Sequence, residues 1–378
     1  MTGPFRAAHA QAAHWGHAAK ACLEQLGPWS PAENIGFLYA TEAFSDDLPS
    51  IVTFLRETTP IEAWVGGIGQ GVVATGREYH AGSALVMMVG ALPTDGFRLV
   101  EQFSDGAALR AEHGAWLSRQ GAVTALVHGD ARRDEVVGGV PALAAAAGAF
   151  LVGGLTSPQA AAIGQVAGRA TDAALSGVLF GDGVALVAGL SQGCTPIGPP
   201  HRVTEAVEAV LISLDGRPAL DVLRDEAGEI IARDLRRAAG YIHAALPVAG
   251  SDTGDFVVRN LAGIDPERGW LAVGARLRES DSLMFVRRDS NAAQKDFRRM
   301  LRDLRRRAAP PAASAPAIRG GVYISCVARG PHMFGAEGRE VAMIREVLGH
   351  FPLVGFYANG EIRGERLYSY SGVLALFV

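Results

Sequence analysis

Hydrophobic runs in the first part of this chain alternate with a stretch of helical periodicity. Residues 35–40, 63–68 and 83–89 are apolar and rich in β-branched and aromatic side chains, which predicts strands. Residues 48–56 are apolar at every third or fourth position, which predicts an amphipathic helix. The pattern therefore predicts a strand–helix–strand–strand unit.

The same order occurs again further along the chain. The second set consists of predicted strands at 122–127, 149–155 and 184–188 and a predicted helix at 141–148. Val-Gly-Gly-Ile at 65–68 and Val-Gly-Gly-Leu at 152–155 take equivalent places in the two sets. This arrangement indicates duplication of one α/β unit, with a period longer than that of solenoid repeats.

The C-terminal residues repeat the order a further time. Residues 323–327 and 354–358 predict strands, residues 341–348 predict a helix, and residues 372–378 predict a closing strand. A strand–helix–strand connection of this length usually pairs its strands in parallel. We therefore expect the strand at 323–327 to lie parallel to the strand at 354–358.

Between the repeated units lies a region with a different pattern. It contains a predicted strand at 209–214, a helix at 218–231, short strands at 256–259, 269–274 and 283–287, a helix at 291–307, and a Pro/Ala-rich linker at 308–316. Turn signals between the three short strands predict an antiparallel meander. Asp289 or Ser290 is expected to cap the helix that follows.

Composition narrows the class of protein. A chain of 378 residues exceeds what one core usually serves, so two or more domains are expected. A net charge of -4 gives no reason to expect nucleic acid or an anionic membrane as a partner. No apolar leader or membrane-length segment is visible, and three widely spaced cysteines indicate a reducing compartment, so the expected location is the cytoplasm.

Chemically active side chains follow the predicted C-terminal strands. Cys326 and Arg329 come at the end of one strand, and Asn359 and Glu361 come at the end of the next. Ligands of parallel sheets bind beyond the carboxyl ends of the strands, so Arg329 and Glu361 are expected to face one crevice. The alternative is that these two residues form a structural ion pair.

Two further elements are candidate ligand contacts. Gly67 and Gly69 lie in a glycine-rich turn whose backbone N–H groups could hold a carboxylate. The turn contains the spacing G-x-G-x-x-A, but a strand follows it instead of a helix, which argues against a dinucleotide site. Arg259 is the other candidate, because arginine binds carboxylates through two hydrogen bonds.

Cysteine and histidine chemistry gives weaker signals. Cys326 would need a neighbouring base to act as a nucleophile, and His332 is six residues away. A buried cysteine at a strand end is more often a packing residue. His14 and His17 share a helix face but have no third ligand, so we predict no metal site. No cofactor is expected, although a histidine could ligate haem.

The chain resembles the FIST family over nearly its whole length. The N-terminal half is similar to FIST_N at 36–39, 64–67 and 69–72, and the C-terminal half is similar to FIST_C at 258–265, 288–289, 325–330, 334–335 and 355–362. The resemblance implies a FIST_N-like domain at 1–200 and a FIST_C-like domain at 201–378. The fold class expected is α/β, or mixed α+β, with duplicated units in two packed halves and antiparallel strands in the C-terminal half.

What the resemblance implies about function is a sensory module. FIST domains are regarded as intracellular modules that bind small ligands, amino acids among them, beside signalling output domains, and some members are haem-dependent gas sensors. We therefore expect a non-catalytic signal-transduction protein that binds a small ligand and acts through an unidentified signalling partner, with no nucleic acid and no membrane insertion. The alternatives are a haem-binding gas sensor and a cysteine-dependent enzyme.

Overall fold

A computed structural model of the chain describes residues 5–159, 162–228, 241–251, 254–309 and 317–378. Two compact units divide the chain. The large unit combines Met1–Ser191 with Asp296–Val378, and the inserted unit is Gln192–Lys295. The C-terminal residues thus return to the unit that the N-terminal residues began, and the cut points differ from a single division at residue 200.

The large unit contains three copies of one pattern, and the first copy covers the N-terminal residues. This first repeat consists of β1 (Arg6–Gln11), α1 (Trp15–Leu26), β2 (Ile35–Thr41), a short 3-10 helix (Glu42–Phe44), α2 (Leu48–Thr58), β3 (Ala63–Gly69), β4 (Val72–Ala74), β5 (Arg77–Tyr79) and β6 (Ala84–Gly90). The predicted strand–helix–strand–strand unit is confirmed here, with an additional hairpin, β4–β5, before the last strand.

The second repeat has the same order of elements. It consists of β7 (Phe97–Val100), α3 (Gly106–Leu117), β8 (Val123–Asp130), α4 (Glu135–Ala147), β9 (Ala149–Thr156), β10 (Gln165–Ala167), β11 (Arg169–Thr171) and β12 (Leu175–Phe180). The prediction that residues 184–188 close this unit is wrong. The closing strand is β12, which pairs antiparallel with β8 as β6 pairs with β2.

The third repeat is split by the inserted unit. It consists of β13 (Leu186–Gln192), α6 (Ser290–Arg307), β22 (Gly320–Cys326), α7 (Gly330–Phe334), α8 (Arg339–Leu348), β23 (Leu353–Ala358), β24 (Glu361–Arg363), β25 (Arg366–Tyr368) and β26 (Ser371–Phe377). Strands β22 and β23 are parallel, which confirms the pairing expected from the sequence. The insertion enters between β13 and α6, where the other repeats have a direct connection.

Each repeat completes its sheet with a hairpin from another repeat. The sheet orders are β1-β6-β2-β3-β10-β11, β7-β12-β8-β9-β24-β25 and β13-β26-β22-β23-β4-β5. The hairpin of the second repeat extends the first sheet, that of the third extends the second, and that of the first extends the third. This cyclic exchange ties the N-terminal and C-terminal residues into one structure, since no repeat can fill its own sheet.

Glycines allow the parallel strands to approach in all three repeats. A Cβ atom at Gly66, Gly153 or Gly355 would overlap the carbonyl oxygen of the neighbouring parallel strand. The facing residues are Leu38, Val127 and Tyr323. These three pairs define corresponding positions in the repeats, and they explain why the Val-Gly motif recurs in the sequence.

The core of the large unit lies on both faces of its sheets. Helix α2 buries Leu48, Ile51, Val52 and Leu55, spaced at three and four residues, against the first sheet. The opposite faces meet where the repeats converge. There, Phe37, Phe180 and Phe377, one from each repeat, pack with centroid distances of 5.4 and 5.5 Å. Sheets that are covered on both faces explain the continuous hydrophobic runs of the sequence.

The inserted unit is a closed antiparallel barrel. Its elements are β14 (Cys194–Pro196), β15 (His201–Val207), β16 (Val210–Leu214), β17 (Arg217–Pro218), α5 (Ala219–Ala227), β18 (Ile242–Pro247), β19 (Phe256–Asp265), β20 (Trp270–Val273) and β21 (Ser282–Arg288). Six strands close the ring in the order β21-β15-β16-β20-β19-β18, and β18 pairs with β21.

Two predictions about this region need correction and one is confirmed. The predicted meander is wrong in its third strand, because β21 pairs with β15 and β18 and not with β20. The end of the helix predicted at 218–231 and most of the linker predicted at 308–316 lie outside the described residues. Asp289 caps α6 as expected, since its Oδ1 accepts a 2.9 Å hydrogen bond from the Ala292 N–H. Among the helices of the described residues, none is long and apolar enough to cross a membrane.

Candidate functional site

The carboxyl end of β22 places Arg329 inside the large unit. After Cys326 the chain turns, and the Arg329 N–H donates to the Cys326 carbonyl at 2.8 Å. The Arg329 side chain is fully buried, and its guanidinium lies over the rings of Phe297 and Phe334, 5.3 and 4.8 Å from their centroids. In this structure Arg329 therefore lies in the interior and does not line an open crevice.

The carboxylate that pairs with Arg329 is Glu340, in the first turn of α8. The Arg329 Nε donates to Glu340 Oε1 at 3.0 Å, and the Arg329 Nη1 donates to the Ser191 carbonyl at 3.2 Å. The alternative of a structural ion pair is thus correct in kind for Arg329, but the partner is Glu340 and not Glu361. Both side chains of this pair have no exposed area.

Glu340 is the centre of a buried hydrogen-bond network. The hydroxyls of Tyr323 and Ser325 donate to Oε1 at 2.5 and 3.0 Å, and the Gly330 N–H donates to Oε2 at 3.2 Å. The Tyr357 hydroxyl also reaches Oε2, at 3.4 Å. Several donors on one carboxylate offset much of the cost of burying its charge.

Glu361 opens β24 and lies near this network without joining it. Its Oε2 accepts hydrogen bonds from the Ser371 hydroxyl at 2.6 Å and the Ser371 N–H at 3.2 Å. Burial raises the pKa of Glu361 to about 8, although the Ser371 bonds and the positive charge of Arg329 oppose the rise. The carboxyl is therefore largely protonated at neutral pH, unlike an ordinary glutamate.

Two polar atoms of this region have no nitrogen or oxygen partner among the described residues. They are the Nη2 of Arg329, a donor, and the Oε1 of Glu361, which is an acceptor when the carboxyl is ionised. Both belong to side chains with no exposed area. An unpaired polar atom in the interior costs about 1–3 kcal/mol, so this pair of atoms is a place where a bound polar group would be stabilised.

Cys326 lies beside Glu361 at the end of β22. The thiol is buried, and burial together with the Glu361 charge raises its pKa to about 12. The residue is therefore a thiol at neutral pH and not a thiolate. This environment is that of a packing cysteine, because reactive cysteines have lowered pKa values.

The remaining predicted site residues have different surroundings. Asn359 is exposed, and Arg259 is half-buried in strand β19 of the inserted unit. Gly67 and Gly69 lie in the fully buried strand β3, and the Ile68 N–H between them donates to the Gly164 carbonyl at 2.9 Å. The backbone of the glycine-rich turn therefore serves sheet pairing at this point.

The histidines have structural contacts of their own. The Nδ1 of His14 accepts from the Gly16 N–H and caps α1. His128 is fully buried, its Nε2 lies 3.0 Å from the Tyr39 hydroxyl, and burial lowers its pKa to about 3. The described residues contain no group of three or more His, Cys, Asp or Glu side chains arranged to hold a metal ion.

Sequence reasoning missed Glu340, Ser325 and Ser371. Glu340 shares the buried face of α8 with Met343 and Ile344, three and four residues on. That spacing was the available signal, because a glutamate on the apolar stripe of a helix must find a buried partner.

A separate cavity of about 280 Å³ lies against the outer side of α8. It is lined by Thr75, Gly76, Val341, Ile344, Arg345, Gly349, His350, Phe351 and Leu353. Thr75 and Gly76 form the turn of hairpin β4–β5, which the first repeat contributes to the third sheet. The cavity therefore depends on the hairpin exchange, and none of its lining residues belongs to the Arg329 network.

Duplicated α/β units, an antiparallel barrel inserted into the third repeat and a buried polar network near the end of the chain define the architecture of this mixed α+β protein. Residues 34–217 match the FIST N domain and residues 219–363 match the FIST C domain, so the chain belongs to the FIST family. FIST domains are generally sensory domains of signal transduction.

The curated relatives carry no functional description. The uncharacterized protein Rv0628c of Mycobacterium tuberculosis is 36% identical over 203 residues, and the uncharacterized protein Mb0898c of Mycobacterium bovis is 35% identical over 198 residues. Each match covers 50% of this chain and 50% of the relative, so the chain spans about half the length of the curated relatives it matches.

Proposed function

We propose that this chain is a non-catalytic sensory module that binds an amino acid or a related small carboxylate through Arg329 and Glu361. The observation that carries the proposal is the pair of buried atoms that have no nitrogen or oxygen partner among the described residues, the Nη2 of Arg329 and the Oε1 of Glu361. One is a hydrogen-bond donor with positive charge and the other is a latent acceptor with negative charge. An amino acid presents a carboxylate and an ammonium group, which are the complements of these two.

The remaining atoms of both side chains are already held in place. Glu340 and Ser191 fix the orientation of the Arg329 guanidinium, and Ser371 fixes Glu361. Fixed groups bind a ligand with a smaller loss of conformational entropy than mobile ones. Because both side chains have no exposed area, ligand entry requires a segment that covers them to move. A ligand-dependent movement is what a sensory module needs in order to signal.

The environment of Cys326 favours binding over catalysis. A nucleophilic cysteine needs a base or a lowered pKa, and here burial raises the pKa of the thiol to about 12. Cys22, Cys194 and Cys326 are buried and not joined in disulfides, which is consistent with a reducing compartment such as the cytoplasm. The signal would pass to a partner protein through the movement that admits the ligand.

The test is a thermal-shift screen of the whole chain against amino acids, with acetate and propylamine as fragments that carry only one of the two charges. Ligand at about 100 times its Kd should add roughly 2.7 kcal/mol of stability. The shift should disappear in Glu361→Gln and in Arg329→Lys, which keeps one positive charge but loses the planar guanidinium. It should persist in Arg133→Lys, a matched surface arginine.

A second measurement uses the protonation of Glu361. An ammonium group bound beside this carboxyl would ionise it, because the pKa of about 8 would fall towards the ordinary value. Calorimetric titrations in buffers of different ionisation enthalpy should therefore show proton release on amino-acid binding at pH 7, and none in Glu361→Gln. Amino-acid binding that is unchanged in Arg329→Lys and Glu361→Gln would place the ligand elsewhere and reject the proposed site.

A further inference from the structure

The cavity beside α8 has a composition of its own. Its floor is apolar, formed by Val341 and Ile344 from α8, by Phe351, which precedes β23, and by Leu353, the first residue of β23. The turn at Thr75 and Gly76 closes one side, and the Thr75 hydroxyl is held by the backbone of Leu353, with bonds of 2.9 and 3.3 Å. The wall is thus fixed by hydrogen bonds.

The rim of the cavity is basic. Arg345 and His350 are exposed and line the cavity, and no acidic side chain is among its lining residues. Neither side chain makes an ion pair or a side-chain hydrogen bond with the described residues. The nearest acidic side chain in the helix sequence, Glu346, is already engaged by Arg339 at 2.7 Å. The rim therefore has positive charge with no counter-charge from the protein.

We propose that this cavity is a second ligand site, which binds a small amphipathic monocarboxylate with its apolar body on the floor and its carboxylate on Arg345. Volume sets the size of the ligand. At about 30 Å³ for a water-sized group, 280 Å³ holds roughly nine or ten non-hydrogen atoms. Acids of the size of benzoate and octanoate meet this limit, and a charged ammonium on the ligand has no partner here.

The position of the site allows it to act on the buried network. Val341 lines the cavity, while its neighbour Glu340 holds Arg329. The Val341 N–H also donates at 2.9 Å to Glu78, a buried residue of hairpin β4–β5. A ligand between the hairpin and α8 would therefore act on both partners of the hydrogen bond between Glu78 and Val341. The site itself does not depend on the function proposed for Arg329 and Glu361, since it involves different residues and a different class of ligand.

The test is calorimetric titration of the full chain with octanoate and benzoate, with octanol and octanamide as uncharged controls of similar apolar surface. We expect saturable binding of at least one of the two acids, at least tenfold weaker binding in Arg345→Glu, and unchanged binding in Arg302→Glu, an exposed arginine of α6. Because Arg345 is exposed, circular dichroism should show that Arg345→Glu folds as the parent does. Protection of residues 75–76 and 341–353 from hydrogen exchange by the acid locates the site independently of the variant.

Three outcomes would overturn the inference: no saturable binding of either acid, binding that Arg345→Glu leaves intact, or octanol binding as tightly as octanoate. The first two remove the carboxylate site, and the third leaves an apolar cleft without charge recognition. Arg329→Lys separates this inference from the proposed function, because it should abolish the amino-acid response and preserve octanoate binding.

Discussion

Arg133 and Arg329 take corresponding places in the second and third repeats, yet their surroundings are opposite. Arg133 lies six residues after Val127 and Arg329 six residues after Tyr323, the residues that face the repeat glycines. Each donates its N–H to the carbonyl three residues earlier, at 3.0 and 2.8 Å. The Arg133 side chain is 41% exposed, whereas that of Arg329 has no exposed area.

The first repeat has a third kind of residue at the corresponding position. Phe44, six residues after Leu38, is buried in an apolar cluster. The backbone turn therefore accepts an aromatic residue, a surface arginine or a buried arginine. A buried ion pair is often no more stabilising than apolar residues of the same volume. Because corresponding positions hold three different kinds of residue, the fold itself does not require a buried arginine at position 329. This supports a functional reason for the presence of Arg329.

The largest expected effect tests what the repeats share. Gly153→Ala and Gly355→Ala each place a Cβ on a backbone carbonyl oxygen of the neighbouring strand, and backbone cannot move aside as a side chain can. We expect each to lower the free energy of unfolding by more than about 4 kcal/mol, or to prevent folding. Soluble yield and urea-induced unfolding measure this effect.

Gly138→Ala is the matched control for this prediction. Gly138 is in helix α4, and a Cβ atom there would have no neighbour within 4 Å. Alanine should stabilise the protein by about 0.5–1 kcal/mol, because glycine is a poor helix former. If Gly153→Ala and Gly355→Ala unfolded at the same urea concentration as the parent, close approach of the parallel strands would not require glycine at these positions. The glycines would then no longer define corresponding positions in the repeats.

The next effect separates the two arginines. Arg329→Met leaves Glu340 buried without its partner, which should cost about 3–5 kcal/mol. Arg133→Met removes an exposed ion pair with Asp172 and should cost less than about 1 kcal/mol. Urea-induced unfolding of both variants at pH 7 gives the comparison directly.

A double variant sharpens this result. Arg329→Met combined with Glu340→Gln removes both charges and should recover part of the loss, since an uncharged pair in the interior has no uncompensated charge. Equal destabilisation by Arg329→Met and Arg133→Met would show that burial of Arg329 has no energetic consequence, and the contrast between the repeats would then be one of geometry only.

The third effect is a dependence on pH that is specific to the third repeat. The folded-state pKa of Glu361, about 8, lies above its ordinary value of 4.5, so the folded protein holds a proton that the unfolded chain has lost. The stabilisation is complete below about pH 4.5 and is lost as the pH rises towards 8. Between these values the contribution of Glu361 to the free energy of unfolding should fall by up to about 1.4 kcal/mol per pH unit, while His128, whose pKa burial lowers to about 3, contributes with the opposite sign below its ordinary value of 6.5.

Chemical denaturation of the parent and of Glu361→Gln from pH 5 to 8 isolates this contribution, because the slopes of other groups, such as His128, are common to both proteins. As the pH rises, the free energy of unfolding of the parent should fall relative to that of Glu361→Gln, because glutamine cannot ionise, whereas Glu346→Gln, at an exposed pair with Arg339, should follow the parent. Parallel pH profiles of the parent and Glu361→Gln would assign the titration to other groups of the molecule.

Local features of the fold were predictable from the sequence, and the exchange between repeats was not. Periodicity alone located β2, α2 and β3, because each has enough apolar residues to show its period. The hairpin strands β4, β10 and β24 are three residues long, which is too short for a pattern. Their partners lie in another repeat, and nothing local encodes that choice.

Only part of the candidate site was predictable from the sequence. Arg329 and Glu361 stood out as polar residues at strand ends, and both are buried near one another as the parallel pairing of β22 and β23 required. Glu340 did not stand out, because a glutamate near a helix start has an ordinary surface explanation. Ser191 could not be found at all, since it belongs to β13, on the far side of the inserted unit in the sequence. Whether Arg329 and Glu361 bind a ligand stays a prediction.

The smallest expected effect has the opposite sign and belongs to the second repeat. Burial pushes the pKa of Asp130 upwards, but the hydrogen bonds from Arg132 outweigh it and hold the pKa below its ordinary value of 3.8. The stabilisation is therefore present above that pH and is lost as the pH falls through the folded-state pKa. Since Arg132 is 35% exposed, we expect a contribution of less than about 1 kcal/mol.

Asp130→Asn should make the protein slightly less stable at pH 7 and should flatten the loss of stability below about pH 4, as measured by urea-induced unfolding across that range. Asp172→Asn is the matched control, because its carboxylate is 79% exposed and should change neither quantity. The two carboxyls would then act in opposite directions: Glu361 destabilises the third repeat as the pH rises, and Asp130 destabilises the second as the pH falls. If the contributions of Glu361 and Asp130 to stability changed with pH in the same direction, the contrast between the two repeats would be limited to their arginines and would not include the neighbouring carboxyl groups.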